Sequence, residues 1–293
     1  MKVLILGGTG MLGHKLYQSL KSPIEAFVTV RGDARSLARF GFYCPDQIVG
    51  GVEATDLASI RNAIETVRPD VVVNCVGIVK QQSLGNDPIA CISINALLPH
   101  QLANLCSEYG ARLIHISTDC VFDGAKGGYN ESDLTNATDL YGRSKAMGET
   151  SAANAVTLRT SIIGRELTTE LGLVDWFLSQ RGKKVNGFTN AIFSGLTTQE
   201  LSRVIQSVIL DHQDLSGLYQ VSVAPIDKHA LLVLLNAAFN AGVEIAPSDE
   251  FKCDRSLDST LFRSRTGYEP STWESMVREM ADDSNPYELW RNK

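Results

Sequence analysis

Residues 1–13 read Met1-Lys-Val-Leu-Ile-Leu-Gly-Gly-Thr-Gly-Met-Leu-Gly13, and this stretch decides the fold class. Its first part, 2–6, is a short apolar run typical of a buried parallel strand. Gly7, Gly10 and Gly13 then follow at the spacing Gly-x-x-Gly-x-x-Gly, and a helical pattern continues to about residue 20. Such glycines let the backbone approach a pyrophosphate, which the helix N-terminus attracts. The stretch therefore predicts a dinucleotide site, although a tight turn without a ligand could carry the same glycines.

The second predicted strand, 26–31, ends in Val28-Thr-Val-Arg31-Gly32. NAD-specific proteins usually carry an acidic residue here for the ribose 2′-hydroxyl. Arg31 offers a guanidinium suited to a 2′-phosphate instead, and Arg35 could assist from the next turn. We therefore expect NADPH as the preferred cofactor, with NADH as the alternative. A solvent-exposed arginine without a ligand is the competing interpretation.

Strand and helix patterns alternate from residue 1 to about 160, which predicts an α/β fold with a doubly wound (Rossmann) parallel sheet. We assign 1–160 to a dinucleotide-binding domain. Residues 161–293 have a looser pattern and are expected to form a smaller C-terminal substrate lobe, partly interleaved with the sheet. Helices are predicted at 89–109, with a break near Pro99, and at 141–154.

The composition excludes several classes of function. The net charge of −6, with scattered lysine and arginine, gives no basic face for nucleic acid. No apolar run is long enough for a membrane span and no signal region opens the chain, so we expect a cytoplasmic protein without membrane contact. The six cysteines and five histidines show no metal-ligand spacing, so no metal is predicted.

Tyr141-Gly-Arg-Ser-Lys145 places a phenol and an ammonium one helical turn apart, on the same side. A nearby ammonium favours the phenolate and lowers the phenol's pKa, which suits proton transfer. Tyr17 and Lys21 have the same spacing, but they lie on the helix after the glycine loop, where packing is expected. Tyr141 instead follows a strand that ends at Thr118, on the sheet edge where ligands bind.

The chain resembles the extended short-chain dehydrogenases/reductases, and among them the dTDP-4-dehydrorhamnose reductases. The similar segments span the first 165 residues in order: 7–13, Arg68-Pro-Asp-Val-Val-Val-Asn74, Ile116-Ser-Thr-Asp-Cys-Val-Phe-Asp-Gly124, 141–145 and Leu158-Arg-Thr-Ser161. The resemblance implies reduction of the C4 keto group of a nucleotide-linked 4-keto-6-deoxyhexose for surface polysaccharide biosynthesis. It implies a nucleotide-sugar substrate and leaves a homodimer open.

The resemblance also implies roles for individual residues. Tyr141 would protonate the carbonyl, Thr118 would hydrogen-bond it, and Lys145 would hold the ribose hydroxyls and tune Tyr141. The residues expected to contact the cofactor are Gly7, Thr9, Gly10, Met11, Leu12, Gly13, Arg31, Asp56, Leu57, Asn74, Val76, Gly77, Ser117, Tyr141 and Lys145, with Thr160 nearby. For Asp56, a helix N-cap is an equal alternative.

Cys120 departs from the family pattern, which usually has a bulky aromatic residue here. The substrate pocket should therefore be roomier, and a UDP-linked N-acetylated sugar competes with dTDP-4-dehydrorhamnose. The further candidates for substrate contact are Lys80, Thr118, Cys120, Arg263 and Arg265, then Arg181, Lys183, Trp176, Phe188 and Phe193. Two other functions stay open: a nucleotide-sugar epimerase or dehydratase, although dehydratases carry an acidic residue at the position of Cys120, and a non-catalytic NADP-binding regulatory subunit.

Overall fold

The computed structural model describes residues 1–80 and 83–291, and within them a seven-stranded parallel sheet forms the centre of the molecule. The strands in chain order are β1 Lys2–Leu6, β2 Glu25–Thr29, β3 Ile48–Val49, β4 Val71–Asn74, β5 Arg112–Thr118, β6 Ala155–Thr160, β7 Ile162–Ile163, β8 Lys184–Phe193, β9 Leu196–Thr197, β10 Gly217–Gln220, β11 Ile226–Asp227 and β12 Glu244–Asp254. The central sheet has the order β10-β6-β5-β4-β1-β2-β3. This order confirms the doubly wound fold, with its direction of winding reversing between β1 and β4.

Helices cover both faces of this sheet. They are α1 Met11–Ser19, α2 Leu57–Val67, α3 Pro88–Cys91, α4 Leu98–Glu108, α5 Leu140–Met147, α6 Leu173–Leu178, α7 Thr198–Leu210, α8 Lys228–Ala238, α9 Thr260–Thr266, α10 Trp273–Ala281 and α11 Tyr287–Arg291. Strand β1 shows how the sheet divides the core, because side chains alternate along a strand. Val3 and Ile5 pack in one cluster with α1 and α7, whereas Leu4 and Leu6 pack in another with α2 and α4.

The helix predicted at 89–109 is continuous, so the predicted break near Pro99 is wrong. A π-helical stretch, Ile92–Leu97, joins α3 to α4. Proline has no N–H to donate to the carbonyl of Asn95, four residues earlier. That carbonyl faces Gly148, where a Cβ atom would collide with it. Within the described part of the chain, Pro88–Glu108 is the one helix long and apolar enough to cross a membrane, and half of its apolar window is buried.

The predicted helix 141–154 ends early, at Met147. The Gly148 N–H bonds to carbonyls of the last turn, and the chain then turns inward to Glu149. The second half contains elements that the sequence pattern did not predict, above all a separate three-stranded sheet of β11, β8 and β12. Strand β10 joins the central sheet beside β6.

The C-terminal segment packs against α1, directly behind the glycine loop. The His14 ring contacts the Gly10 carbonyl through Nδ1 at 2.8 Å and the Tyr287 hydroxyl through Nε2 at 3.1 Å. Burial lowers the pKa of His14 to about 4, so the ring is neutral at pH 7. Lys15 pairs with Asp283 at 2.6 Å. The end of the described chain thus supports the helix that begins the predicted dinucleotide site.

Candidate active site

The glycine loop leaves β1 and turns directly into α1. The Gly10 N–H donates to the Gly7 carbonyl at 3.0 Å, and the Gly7 N–H donates to Thr29 Oγ1 at 3.2 Å. The Tyr43 hydroxyl donates to the Gly8 carbonyl at 2.6 Å and fixes the loop from outside. Gly10 is the N-cap of α1 and has no side chain to cap it. The N–H groups of Met11 and the following residues in the first turn can therefore bind a phosphate.

Gly13 allows α1 to pack directly on this loop. A Cβ atom at Gly13 would overlap the carbonyl oxygen of Gly7 and press on the backbone of Gly8. We expect Gly13→Ala to lower the free energy of unfolding by about 1–3 kcal/mol, because the close-packed backbone must move apart. Denaturant unfolding measures this, and a cofactor titration should show weaker NADPH binding.

Gly32→Ala is the matched control for stability, because a Cβ atom there would meet no other atom within 4 Å. If the Gly13 variant were as stable as the Gly32 variant, the close contact between α1 and the loop would be contradicted.

Among the other residues expected to bind the cofactor, some side chains are exposed and others form hydrogen bonds within the protein. Arg31 is exposed just after β2. Arg35 is bound to Asp33, so it is less available to assist than the sequence suggested. Asp56 caps α2 by accepting the Ala58 N–H at 3.0 Å, and Leu57 begins that helix. The N-cap interpretation of Asp56 therefore describes its contact in this structure.

The end of β4 carries Asn74, whose side chain is committed within the protein. It donates to His115 Nδ1 at 3.1 Å and accepts the Val76 N–H at 3.1 Å. Gly77 follows next to the side chain of Asn95. Val76 lies against the glycine loop, since its methyl group is the nearest neighbour of a Cβ atom built at Gly7. The segment after β4 thus borders the predicted dinucleotide site.

Ser117 uses its hydroxyl within the protein and not toward a ligand. It donates to Glu149 Oε1 at 2.7 Å, and the same carboxylate binds the buried Arg159 through two nitrogens at 2.8 and 2.6 Å. Thr160 is buried at the end of β6, where its hydroxyl donates to the Ser161 carbonyl at 3.3 Å. These contacts hold the ends of β5 and β6 together below the candidate site.

Tyr141 and Thr118 meet where α5 begins above the end of β5. Asp139 caps this helix by accepting the Gly142 N–H at 2.9 Å, which fixes the first turn that carries Tyr141. The Thr118 hydroxyl donates to Asp119 Oδ1 and accepts the Cys120 N–H, both at 3.2 Å, and it lies close enough to the Tyr141 phenol to act on its pKa. Both predicted carbonyl-binding hydroxyls are therefore side by side.

Burial raises the pKa of Tyr141 above its usual value, and the neighbouring thiol of Cys120 acts in the same direction. This differs from the expectation that a nearby ammonium would lower it. The physical reason is that burial destabilises the phenolate by more than the surrounding positive charges stabilise it. Tyr141 is therefore a protonated phenol at neutral pH, the state of a proton donor.

Lys145 lies one turn along α5 and is buried. Its Nζ donates to the Ile116 carbonyl at 2.7 Å. Burial lowers its pKa to about 8, while the Glu149 carboxylate opposes that change. The ammonium is thus held on the β5 side of the helix and is still charged at pH 7.

Cys120 and Lys80 both lie near Tyr141. Lys80 Nζ lies 5.8 Å from the centre of the Tyr141 ring and pairs with Asp139 at 2.7 Å. Burial raises the pKa of the Cys120 thiol to about 12, and the adjacent Asp119 adds to the rise. A neutral thiol with that pKa is a poor nucleophile, which argues against covalent catalysis by Cys120.

Two cations at this site were missed by the sequence analysis. Arg255, just after β12, places Nη1 3.7 Å from Cys120 Sγ, and Lys228, the first residue of α8, acts electrostatically on Asp119 and Cys120. No local motif marks either residue. For Lys228, its position at the start of a helix was the one available signal.

The substrate candidates Arg263 and Arg265 lie on the surface of α9. Lys80 instead lies by the Tyr141 ring, and Arg255 and Lys228 lie by the neighbouring Cys120 and Asp119. Of the remaining substrate candidates, Phe193 lies near Lys228, whose Nζ is 4.1 Å from the centre of the Phe193 ring. Phe188 packs on Phe251 in the small sheet, and Trp176 is 40% exposed on α6. Lys183 is exposed just before β8, and Arg181 is exposed and donates to the carbonyls of residues 239 and 240.

Among residues 1–80 and 83–291, no group of three His, Cys, Asp or Glu side chains could hold a metal ion.

The family described as "RmlD substrate binding domain" matches residues 1–285. The chain belongs to this family. The match includes both the glycine loop and the second half with Lys228 and Arg255, so the family covers both sides of the candidate site.

Curated relatives match about half of the chain. A methionine adenosyltransferase 2 subunit beta from Xenopus laevis is 30% identical over 148 residues, which are 50% of this chain and 41% of the relative. A dTDP-4-dehydrorhamnose reductase from Streptomyces griseus is 34% identical over 147 residues, 50% of this chain and 43% of the relative. The matched stretch thus spans less than half the length of either relative.

Solved structures share the whole fold. A dTDP-4-dehydrorhamnose reductase from Clostridium acetobutylicum has a TM-score of 0.78 at 22% identity, covering 96% of this chain and 99% of its own. One from Bacillus anthracis, in complex with NADP, has a TM-score of 0.78 at 20% identity, covering 97% and 99%. At such identities the likeness establishes the fold alone.

Proposed function

We propose that this protein is a cytoplasmic NADPH-dependent reductase that acts on the C4 keto group of a nucleotide-linked 4-keto-6-deoxyhexose. The substrate would be dTDP-4-dehydrorhamnose or a UDP-linked N-acetylated relative, used in surface polysaccharide biosynthesis. The observation that carries the proposal is the meeting of Tyr141 and Thr118 above β5, with Lys145 one turn further on. In this proposal 1–160 bind the cofactor and 161–293 form most of the substrate lobe.

The chain's own residues fit a dinucleotide. The uncapped start of α1 offers N–H donors, and Gly13 gives the close approach that a pyrophosphate cradle needs. When bound, the reduced nicotinamide supplies hydride. Tyr141 donates its phenolic proton to the carbonyl oxygen, and Thr118 donates a hydrogen bond to the same oxygen. Lys145 holds the ribose hydroxyls with its buried ammonium.

Arg31 is the basis of the proposed preference for NADPH. We expect Arg31→Ala to reduce the ratio of kcat/KM for NADPH over NADH about tenfold, the worth of one charge-assisted hydrogen bond to a 2′-phosphate. Steady-state kinetics with both cofactors measures this ratio. Arg39→Ala is the control, since Arg39 is exposed nearby but stacks on Phe40. Equal kcat/KM values for NADPH and NADH in the unaltered protein would defeat the prediction.

The relatives named methionine adenosyltransferase 2 subunit beta favour a second candidate function, that of an NADP-binding subunit of another enzyme. Under that function the dinucleotide would bind but would not be turned over. The dehydratase alternative has less support, because Cys120 stands where dehydratases carry an acidic residue.

The decisive experiment follows NADPH oxidation with the two 4-keto sugars, each generated in place by its dehydratase and epimerase. We expect consumption with at least one substrate and product reduced at C4. Consumption with neither, by a folded protein shown to bind NADPH, would overturn the reductase and favour the subunit.

A further inference from the structure

Glu149 lies just after α5 and contacts two neighbouring strands near their carboxyl ends. Its side chain is only 9% exposed. Oε1 accepts a hydrogen bond from the Ser117 hydroxyl at 2.7 Å, and the carboxylate binds the Arg159 guanidinium at 2.8 and 2.6 Å. Ser117 on β5 and Arg159 on β6 are opposite each other in the sheet. The carboxylate therefore connects the end of α5 to the ends of both strands.

The peptide group between Ile116 and Ser117 holds the ammonium of Lys145. The Ile116 carbonyl accepts a hydrogen bond from Lys145 Nζ at 2.7 Å. Strand β4 ends at Asn74, opposite His115, so Ile116 lies one residue beyond the paired part of β4 and β5. A carbonyl at this position can bind a side chain in place of a strand. A contact that fixes Ser117 therefore also fixes the carbonyl that positions the ammonium.

Glu149 also favours the charged form of Lys145. Burial lowers the pKa of Lys145 to about 8, and the Glu149 carboxylate acts against that fall. The other titratable groups around Lys145 are Cys75, which follows β4, His115 on β5 and Tyr141 on α5. Burial raises the pKa of Cys75 to about 12, raises the pKa of Tyr141 and lowers that of His115, so all three are neutral near pH 8. The charge of Lys145 near this pH therefore depends on Glu149.

We propose that Glu149 is a positioning residue for cofactor binding, which fixes the strand end that holds Lys145 and so presents the ammonium to the ribose hydroxyls. The inference rests on the proposed function for the role of Lys145 and deepens it. Tyr141, Lys145 and Glu149 follow one another at intervals of four residues. One segment of the chain thus carries the proton donor, the ammonium and the carboxylate that acts through the ammonium.

The experiment follows the titration of Lys145 by NMR in the purified full chain without cofactor. The chain carries isotope-labelled lysine, and the Lys145 signal is identified by its loss in Lys145→Arg. We expect a midpoint at about pH 8 in the unaltered chain. Glu149→Gln should lower it by about one pH unit, because the ammonium loses a nearby opposite charge. Glu149→Asp keeps the charge and should recover part of the shift.

NADPH affinity, measured by fluorescence at two pH values, is the second readout. A fall of one unit in the midpoint takes Lys145 from about half charged to about one tenth charged at pH 8. Glu149→Gln should therefore weaken NADPH binding about fivefold at pH 8. At pH 6 the ammonium stays charged in both proteins, so the affinities should be nearly equal. A general loss of structure would weaken binding at both pH values.

Glu200→Gln is the matched control. Glu200 is also buried, and its carboxylate accepts hydrogen bonds from Arg203, from the Tyr268 hydroxyl and from the Ser271 hydroxyl at the start of α7. This variant should lose stability without moving the titration of Lys145.

Glu149→Gln leaves the buried Arg159 without its carboxylate, which could prevent folding. In that case the double variant Glu149→Gln with Arg159→Met replaces it, because removing both partners of a buried pair is tolerated better than removing one. We expect the Lys145 midpoint to move in the same direction.

The outcomes separate this inference from the proposed function. An unchanged Lys145 midpoint in a folded Glu149 variant overturns the inference, and so does an equal shift in the Glu200 variant. NADPH binding that weakens equally at pH 6 and pH 8 also overturns it. A lowered midpoint with binding lost only at pH 8, in a chain that reduces no 4-keto sugar, supports the positioning role while the reductase fails.

Discussion

Tyr141→Phe should lower kcat on the order of a hundredfold or more, while NADPH still binds. The change removes the phenolic proton and keeps the ring, so packing at the start of α5 is preserved. Because burial raises the pKa of Tyr141, the hydroxyl is protonated across the neutral range and is the group able to donate a proton beside Thr118. Stopped-flow or steady-state NADPH oxidation measures the loss.

Tyr17→Phe is the control, since Tyr17 has the same Tyr-x-x-x-Lys spacing. Its hydroxyl donates to Gln47 Oε1 at 2.6 Å and accepts the Cys44 N–H at 3.0 Å, and its buried ring packs on Tyr43. We expect nearly unchanged turnover and a small loss of stability. If the Tyr17 change abolished turnover and the Tyr141 change did not, the proton donor would be assigned to the wrong motif.

The first half of the fold could be predicted because its signals are local. The apolar runs of β1, β4 and β5 are buried on both faces, and the glycine loop starts α1 within a few residues. Such patterns need no knowledge of distant partners. The cap of α7 is equally local, since the Thr197 hydroxyl accepts the Glu200 N–H three residues later.

The small sheet could not be predicted, because its strands are defined by a distant partner. Strand β12 pairs in parallel with β8, from Glu244 opposite Lys184 to Asp254 opposite Ile192, across an intervening helix pair. Most of β12 is exposed and carries charged residues, so it lacks the alternation of a half-buried strand. Because Arg255 follows this strand, no sequence pattern indicates that its guanidinium contacts the Cys120 thiol.

The length of α5 was misjudged for a related reason. The pattern after Tyr141 suits a helix, but Glu149 is drawn inward by Ser117 and Arg159, which are contributed by two strands. A buried carboxylate with two partners outweighs the small helix propensity of the next few residues. The sequence thus predicted Tyr141 and Lys145 as the catalytic pair, but not the contacts that set where their helix ends.

Gly142→Ala should be the other large effect, a loss of kcat on the order of a hundredfold with the fold retained. Gly142 follows Tyr141, and a Cβ atom there would overlap the carbonyl oxygen of Cys120 and the methyl group of Ala137. The start of α5 would have to move away from the end of β5, and with it Tyr141 from Thr118. A displacement of about 1 Å between reacting groups costs this much in rate.

The control for this change is Arg143→Ala, the next residue on the exposed side of α5. NADPH affinity should change little in either variant, because the glycine loop is elsewhere in the molecule. The thermal midpoint should stay unchanged for Arg143→Ala and fall for Gly142→Ala, since its Cβ atom would overlap backbone as closely as one at Gly13. A Gly142 variant with normal turnover would mean that proton transfer tolerates separation of the two hydroxyls. That result would contradict the joint action of Tyr141 and Thr118, on which the proposed reaction depends.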